Sequence, residues 1–205
     1  MALKKSLNMQ NNLAIFYCGT NGAGKSTLRA FNQDAVQIVI DSDHIAQEIN
    51  PNNPRLADFE AGRKAIELYQ FALAHRISFS MESTLSGHSI LQRMKKVKEN
   101  GFDVRLNYVA VADVDINLAR VAARVKLGGH PIDEATIRQR YEVSTKHLLL
   151  ALPYCDEVFI YDNSFEEANL IFWLHQKNII ALDNHLPEWC QVLQKELLHL
   201  GYVSI

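Results

Sequence analysis

Residues Leu13–Leu28 read LAIFYCGTNGAGKSTL, and this stretch decides the fold. Leu13–Cys18 is an apolar run short enough to be one buried strand. Gly19-Thr20-Asn21-Gly22-Ala23-Gly24 follows as a glycine-rich turn, and Lys25-Ser26-Thr27 opens a helical pattern. The result is G-x-x-x-x-G-K-S in the order strand, loop, helix that gives the motif its meaning. Glycines accept positive φ, so consecutive N–H groups can point into one concavity that takes phosphate oxygens. A helix starting near Lys25 adds the positive end of its dipole. In such a loop the lysine reaches the outer phosphates and the Ser26 hydroxyl ligates Mg²⁺. The competing reading is a glycine-rich turn with an incidental Lys-Ser. Average composition produces the four fixed positions in on the order of 1% or fewer of chains this long. The sequence therefore points to nucleoside-triphosphate binding through Gly19–Thr27.

The remaining composition narrows the class. At 205 residues, 48% hydrophobic and 21% charged, the chain has the make-up of one globular α/β domain. A formal charge of −2 leaves no excess of Lys and Arg to neutralise a phosphate backbone, so nucleic acid is not an expected partner. Cys18, Cys155 and Cys190 are widely spaced and form no C-x-x-C pair, which fits indifferent thiols in a reducing compartment. Residues 1–12 hold no apolar run of signal-peptide length, and no stretch approaches the ~20 apolar residues of a membrane span. A cytoplasmic protein without a membrane partner is expected.

Beyond the loop helix (about Lys25–Phe31), Val36–Ile40 reads as a second buried strand that ends at Asp41-Ser42-Asp43. A loop or broken helix is expected through Pro51 and Pro54. Arg55–His75 has helical spacing, with Leu56, Phe59, Ile66, Leu68, Tyr69 and Leu73 mostly on one side. Ile77–Met81 is a short strand running into Glu82-Ser83-Thr84. His88–Glu99 is a helix stopped at Asn100-Gly101, and Val104–Val111 a strand. Val114–Leu127 and Glu134–Leu150 are helices separated by Gly128-Gly129-His130-Pro131. Glu157–Tyr161 is a strand, and the tail holds one or two short elements and a helix at about Pro187–Leu200. Alternating strands and helices describe a parallel sheet covered on both faces, a P-loop fold of nucleotide-kinase type with a helical lid. The expected organisation is one domain, with a core at about 13–164 and a C-terminal extension over 165–205.

In such sheets ligands sit at the carboxyl ends of the strands. Three polar clusters fall there: the loop after the first strand, Asp41/Asp43 after the second, and Glu82/Thr84 after the third. Phosphoryl transfer needs charge neutralisation, in-line positioning and a group to accept the nucleophile's proton. In an extended continuation Asp41 and Asp43 lie on one side of the chain, and Asp43, further out, meets an acceptor hydroxyl. The alternative for either is a cap on the next helix. Glu82 is expected to bind acceptor hydroxyls or help hold the metal, with Thr84 beside it. Arg120 and Arg124, spaced i,i+4, share a helix face, and Arg138 and Arg140 follow on the next helix. Inward-facing arginines around a Gly-Gly turn are what a lid over a triphosphate requires, and a solvated basic face is the alternative. Arg124 is the expected catalytic arginine, and Arg120 and Arg138 are further candidates. Arg140, two positions from Arg138, is expected to point elsewhere, toward the surface or a salt bridge. His130, beside two glycines, is either an imidazole near phosphate or a turn residue. No metal-ligand spacing of His or Cys occurs, and no G-x-S-x-G elbow.

Taken in order, GTNGAGKST, QIVIDSDHIAQEINP, MESTLSG, ARVAARVKLGGHPIDEATIRQRY and the strand into YDNS resemble the zeta-toxin family over about residues 13–164. The glycine-rich loop is common to many kinases; the Arg-x-x-x-Arg-V-x-x-Gly-Gly-His-x-I block followed by Arg-x-Arg-Tyr is specific. The resemblance implies a P-loop kinase that uses ATP and Mg²⁺. Its implied acceptor is a small molecule, the sugar of UDP-N-acetylglucosamine in well-studied members. By matching position it implies Lys25 as the Walker lysine and Asp43 as the catalytic base. It further implies Glu82 and Thr84 near the sugar nucleotide and Arg124 on phosphate, and it adds an antitoxin protein to the candidate partners. Where studied toxins have a second lid arginine, this chain has His130, and His130, Arg138 or neither takes that role. The rival expectations are a kinase for another small hydroxyl compound and an ATP-binding regulatory or interaction protein without efficient transfer. A nucleic-acid motor is disfavoured by charge and size.

Overall fold

Strand β1 (Leu13–Cys18) is central because both of its faces are apolar. Ala14, Phe16 and Cys18 enter one core cluster and Ile15 and Tyr17 another, and all five are 0% exposed. The computed structural model describes residues 12–129, 131–182 and 186–205. Strands β2 (Ile38–Ile40), β3 (Phe79–Ser83), β4 (Asp103–Ala110) and β5 (Glu157–Asp162) join β1 in parallel, in the order β2-β3-β1-β4-β5. The sheet then continues through β6 (Asn169–His175), β7 (Asn178–Ala181) and β8 (Val203–Ser204). β6 is antiparallel to both β5 and β7, and β8 is parallel to β7. The expected parallel α/β sheet is thus present as five strands, and the tail, expected as one or two short elements and a helix, widens it into a mixed sheet.

Helix α1 (Lys25–Asn32) places Leu28 against Ile15, Tyr17 and Val109 on one face. On the other face lie α3 (Asp58–His75), α4 (His88–Glu99), α6 (Glu134–Ala151) and α7 (Glu188–His199), which share one large cluster with β1, β3, β4, β5 and β6. Helices α2 (Ser42–Ile49) and α5 (Val114–Lys126) follow β2 and β4 at the loop end of the sheet. The chain leaves β1 toward β2 on one side and leaves the neighbouring β4 toward β5 on the other, which makes the ends of β1 and β4 the topological switch point.

Three local expectations are corrected. The second strand is only Ile38–Ile40, and Asp41 does not continue it: the Asp41 carboxylate accepts the N–H groups of Asp43 and His44 and starts α2. Asp43 therefore sits in a helical first turn rather than one extended step beyond Asp41. The 55–75 stretch is a 3₁₀ turn, Pro54–Ala57, followed by α3, and its inward residues are Ala61, Ala65, Tyr69 and Ala72. Leu56 and Phe59, expected on one side with Tyr69, are 77% and 88% exposed while Tyr69 is buried. Alanines make up most of this inward face beside Tyr69, and Leu68 and Leu73 pack partly buried against the same core. The third strand runs to Ser83, which puts Glu82 within the strand.

Candidate active site

The loop after β1 is held from beneath and from both sides. The Gly19 N–H donates to Ser83 O on β3 at 3.2 Å. Asn117 Nδ2, fully buried on α5, donates to Asn21 O at 2.8 Å, and Arg140 Nη1 on α6 donates to Asn21 Oδ1 at 2.8 Å. From the loop after β5, Asn163 Nδ2 donates to Ala23 O at 2.7 Å. These braces leave no room for side chains. Gly24 has φ +100°, and a Cβ there would lie 2.2 Å from Asn163 Nδ2. Gly24 is also the N-cap of α1 and makes no side-chain capping bond, whereas α2, α5 and α6 are capped by Asp41, Asp113 and Asp133. The first N–H groups of α1 therefore remain available to an anion.

Lys25 Nζ folds back and donates to Thr20 O at 3.2 Å. Burial lowers its pKa from the ordinary lysine value, and Glu82 is the largest of the neighbours opposing that shift. Ser26 Oγ donates to Glu82 Oε2 at 2.9 Å, so the loop hydroxyl and the β3 carboxylate form one oxygen pair. Burial raises the Glu82 pKa and Asp41 adds to the rise, while hydrogen bonds from Arg29 and Ser26 and the charge of Lys25 oppose it.

Around these groups lies a cleft of about 620 Å³. Asn21, Gly22, Gly24, Lys25, Ser26 and Thr27 line its loop side, and Gly19, Thr20 and Ala23 lie outside that lining. Asp41, Asp43, Glu82 and Thr84 line the opposite side, and Arg120, Arg124 and Arg140 close it from α5 and α6. Asp43 is exposed and borders two further cavities of about 300 and 420 Å³. Thr84 Oγ1 is hydrogen-bonded with Ser86 Oγ at 2.7 Å. Arg120 is anchored by the carbonyls of Asn163 at 2.8 Å and Phe165 at 2.9 Å. Arg124 is packed by the Gly-Gly turn: Gly129 N donates to Arg124 O at 2.9 Å, and a Cβ on Gly129 would come within 2.6 Å of Arg124 Cγ.

Arg138, expected in the site, is outside it. Its guanidinium pairs with Glu134 at 2.7 Å and Asp115 at 2.9 Å on the outer face of the helix pair. Arg140, expected at the surface or in a salt bridge, is the α6 arginine that enters the cleft. Its spacing of i+3 from the buried Ile137 was the available signal. His130 lies outside the described residues. Arg29, Asn117 and Asn163 are additions to the sequence-derived set, and only Arg29 carried a signal, its i+4 spacing from Lys25.

The sequence model of the Zeta toxin family matches residues 2–163. The chain belongs to the Zeta toxin family. It is also 67% identical over 139 residues to an uncharacterized protein of Haemophilus influenzae, an alignment that covers 68% of this chain and 99% of that protein. Among solved structures, AvrRxo1-ORF1:AvrRxo1-ORF2 with sulphate ions is similar at TM-score 0.68 and 12% identity, covering 96% of this chain and 72% of the other. The PezAT chromosomal toxin–antitoxin system of Streptococcus pneumoniae is similar at TM-score 0.59 and 20% identity, covering 94% of this chain and 84% of the other. At these identities the structural likeness is one of fold, and that fold is the P-loop kinase fold read from the Zeta toxin sequence pattern.

Proposed function

We propose that this Zeta toxin family member is an ATP-dependent kinase that moves the γ-phosphoryl group to a hydroxyl of a small acceptor, a sugar nucleotide such as UDP-N-acetylglucosamine. The observation that carries the reading is the convergence of Lys25, Asp43 and Glu82 on one cleft, from the carboxyl ends of β1, β2 and β3. Loop amides and Lys25 hold the β- and γ-phosphates. Asp43 takes the proton of the acceptor hydroxyl as its oxygen attacks the γ-phosphorus, the bond from that phosphorus to the bridging oxygen breaks, and ADP leaves. Arg124 and Arg140 neutralise charge on the transferring group. Arg120 sits on the nucleotide side, and Thr84 on the acceptor side.

Ser26 and Glu82 offer hard oxygen donors in contact with each other, a set that suits Mg²⁺ shared with phosphate oxygens and water. Among the described residues no group of three or more His, Cys, Asp or Glu side chains is arranged to hold a metal ion. A protein-caged metal is therefore a poorer fit than a cation that arrives with the nucleotide. When bound, magnesium supplies charge neutralisation to the phosphates. In this reading the chain is a single domain acting in the cytoplasm, with an antitoxin protein as its controlling partner. No helix among the described residues is long and apolar enough to cross a membrane.

The test is ATP consumption with Mg²⁺ and UDP-N-acetylglucosamine, with products weighed by mass spectrometry, beside Asp43→Ala and Lys25→Ala. A product heavier by one phosphoryl group, lost in both variants, is the expected result. ATP binding without any phosphorylated product across a panel of hydroxyl acceptors would leave a nucleotide-binding regulator instead.

A further inference from the structure

Helix α1 carries a second cation one turn beyond Lys25. Arg29 Nε donates to Glu82 Oε1 at 2.7 Å, and its Nη2 donates to Asp41 Oδ2 at 3.1 Å. The side chains are largely withdrawn from solvent: 23% exposed for Arg29, 12% for Asp41 and 9% for Glu82. The second oxygen of each carboxylate is committed elsewhere. Glu82 Oε2 accepts from Ser26 Oγ at 2.9 Å, and Asp41 Oδ1 accepts from the N–H groups of Asp43 at 3.1 Å and His44 at 3.3 Å. One planar fork therefore joins the phosphate-loop helix to the end of β3 and to the N-terminus of the helix that carries Asp43. Arg29 itself does not line the 620 Å³ cleft.

We propose that Arg29 is a positioning residue for phosphoryl transfer, holding Glu82 against Ser26 and holding the start of α2, with Asp43 on it, in register with the phosphate loop. The proposal rests on the kinase reading above. Asp41 and Glu82 are like charges that share a confined space, and they need a common counter-ion to stay side by side. Lys25 is another cation beside these carboxylates, and in the kinase reading its charge serves the phosphates. Arg29 is then what keeps both carboxylates in place. Lysine is a poor substitute, because a single ammonium lacks the fork that meets two carboxylates in fixed directions.

The braces on the loop from Asn117, Arg140 and Asn163 do not involve Arg29. Nucleotide capture and transfer should therefore separate. Arg29→Gln and Arg29→Lys are to be compared with wild type for ATP affinity, kcat, KM for ATP and melting temperature. The expected result is ATP affinity unchanged within about twofold, with kcat down about a hundredfold for Arg29→Gln, the scale of a misplaced reacting group, and an intermediate loss for Arg29→Lys. Asp41→Asn keeps the helix cap and removes one arm of the fork, and it should lower kcat in the same direction. An unchanged kcat in Arg29→Gln overturns the proposal. So does a parallel fall of kcat, ATP affinity and melting temperature, which marks a merely structural ion pair. Failure of the kinase reading shows separately, on the wild-type arm, as ATP binding without turnover, and it removes the positioning role with it.

Discussion

Arg138 and Arg140 are two positions apart, and two steps along an α-helix turn a side chain by about 200°. One of them must face outward if the other faces the cleft. The direction is set by what α6 buries: Ile137, Ser144, His147, Leu148 and Ala151 define its inner face, and Arg140 belongs to that face while Arg138 does not. Arg140→Ala should lower turnover by about ten- to a hundredfold, the usual loss of a charge-assisted hydrogen bond to a developing phosphoryl group. Arg138→Ala should leave turnover unchanged, because its partners, Glu134 and Asp115, are exposed carboxylates on the helix exterior. Steady-state kinetics on the two variants side by side checks the assignment. The same geometry shows what was legible at this scale. The glycine-rich loop could be read directly, since G-x-x-x-x-G-K-S prescribes both backbone and chemistry. The divergence of the two arginines could also be read, from their spacing. Which of them faces inward was signalled only by the i+3 spacing of Arg140 from Ile137, and the neighbours of α6 in space decide it. Asp41 was ambiguous for a related reason: Asp after a strand serves a cap and an active site equally well, and here the cap is observed.

Helix α6 links the arginine end of the cleft to the segment that follows β3. Near its C-terminal end His147 is buried, with Nδ1 lacking a hydrogen-bond partner among the described residues and its ring 5.0 Å from that of His88 at the start of α4. Burial lowers the His147 pKa, the charge of His88 lowers it further, and a hydrogen bond with the Leu85 backbone opposes both. The unfolded chain takes up this proton near the ordinary histidine value of about 6.5, and the folded chain only at lower pH. Between those two values the unfolded state binds more protons, so stability rises with pH. The contribution is complete above the unfolded pKa and is lost as pH falls through the window below it. Urea unfolding at about pH 7.5 and pH 5.5 should show a loss on acidification that shrinks in His147→Gln. An equal loss in the variant would assign the acid sensitivity to other groups. Elements of this kind, with strong periodicity and clear stops, were legible in sequence: α4 was expected at its observed bounds, and α5 and α6 within a residue. α3 misled because alanine, a weak hydrophobic signal, supplies its buried face while Leu56 and Phe59, just ahead of it and in its first turn, point outward.

For the whole molecule, the question is whether the chain beyond β5 is an appendage or part of the fold. Leu170–Leu174 is a short, continuous apolar run, which periodicity alone assigns neither to a strand nor to a helix. It pairs with β5 as an antiparallel hairpin across residues 163–168, a loop that lacks the Asn-Gly or Asp-Gly signal of a tight turn. In the structure Ile171, Phe172, Leu174, Ile179, Cys190, Leu193, Leu197 and Tyr202 all join the same core cluster as β1 and β4. Large apolar side chains contribute about 1.5–3 kcal/mol each when fully buried. Each such loss is large against the typical net stability of a domain, about 5–15 kcal/mol. Removal would also turn β5 into an open edge and strip Asp162 of the Trp189 indole N–H that it accepts at 3.2 Å. The loss would reach the site as well, because Phe165 O is one of the two carbonyls that anchor Arg120. A chain ended at Ser164 is therefore expected to lack a cooperative melting transition and to aggregate, as read by calorimetry and size-exclusion chromatography. Were it instead to melt cooperatively and bind ATP as the full chain does, β6–β8 and α7 would be an added layer on an autonomous kinase core. The shared cluster argues against that outcome, since β4 and β5 bury their inner faces against side chains the shortened chain would no longer have.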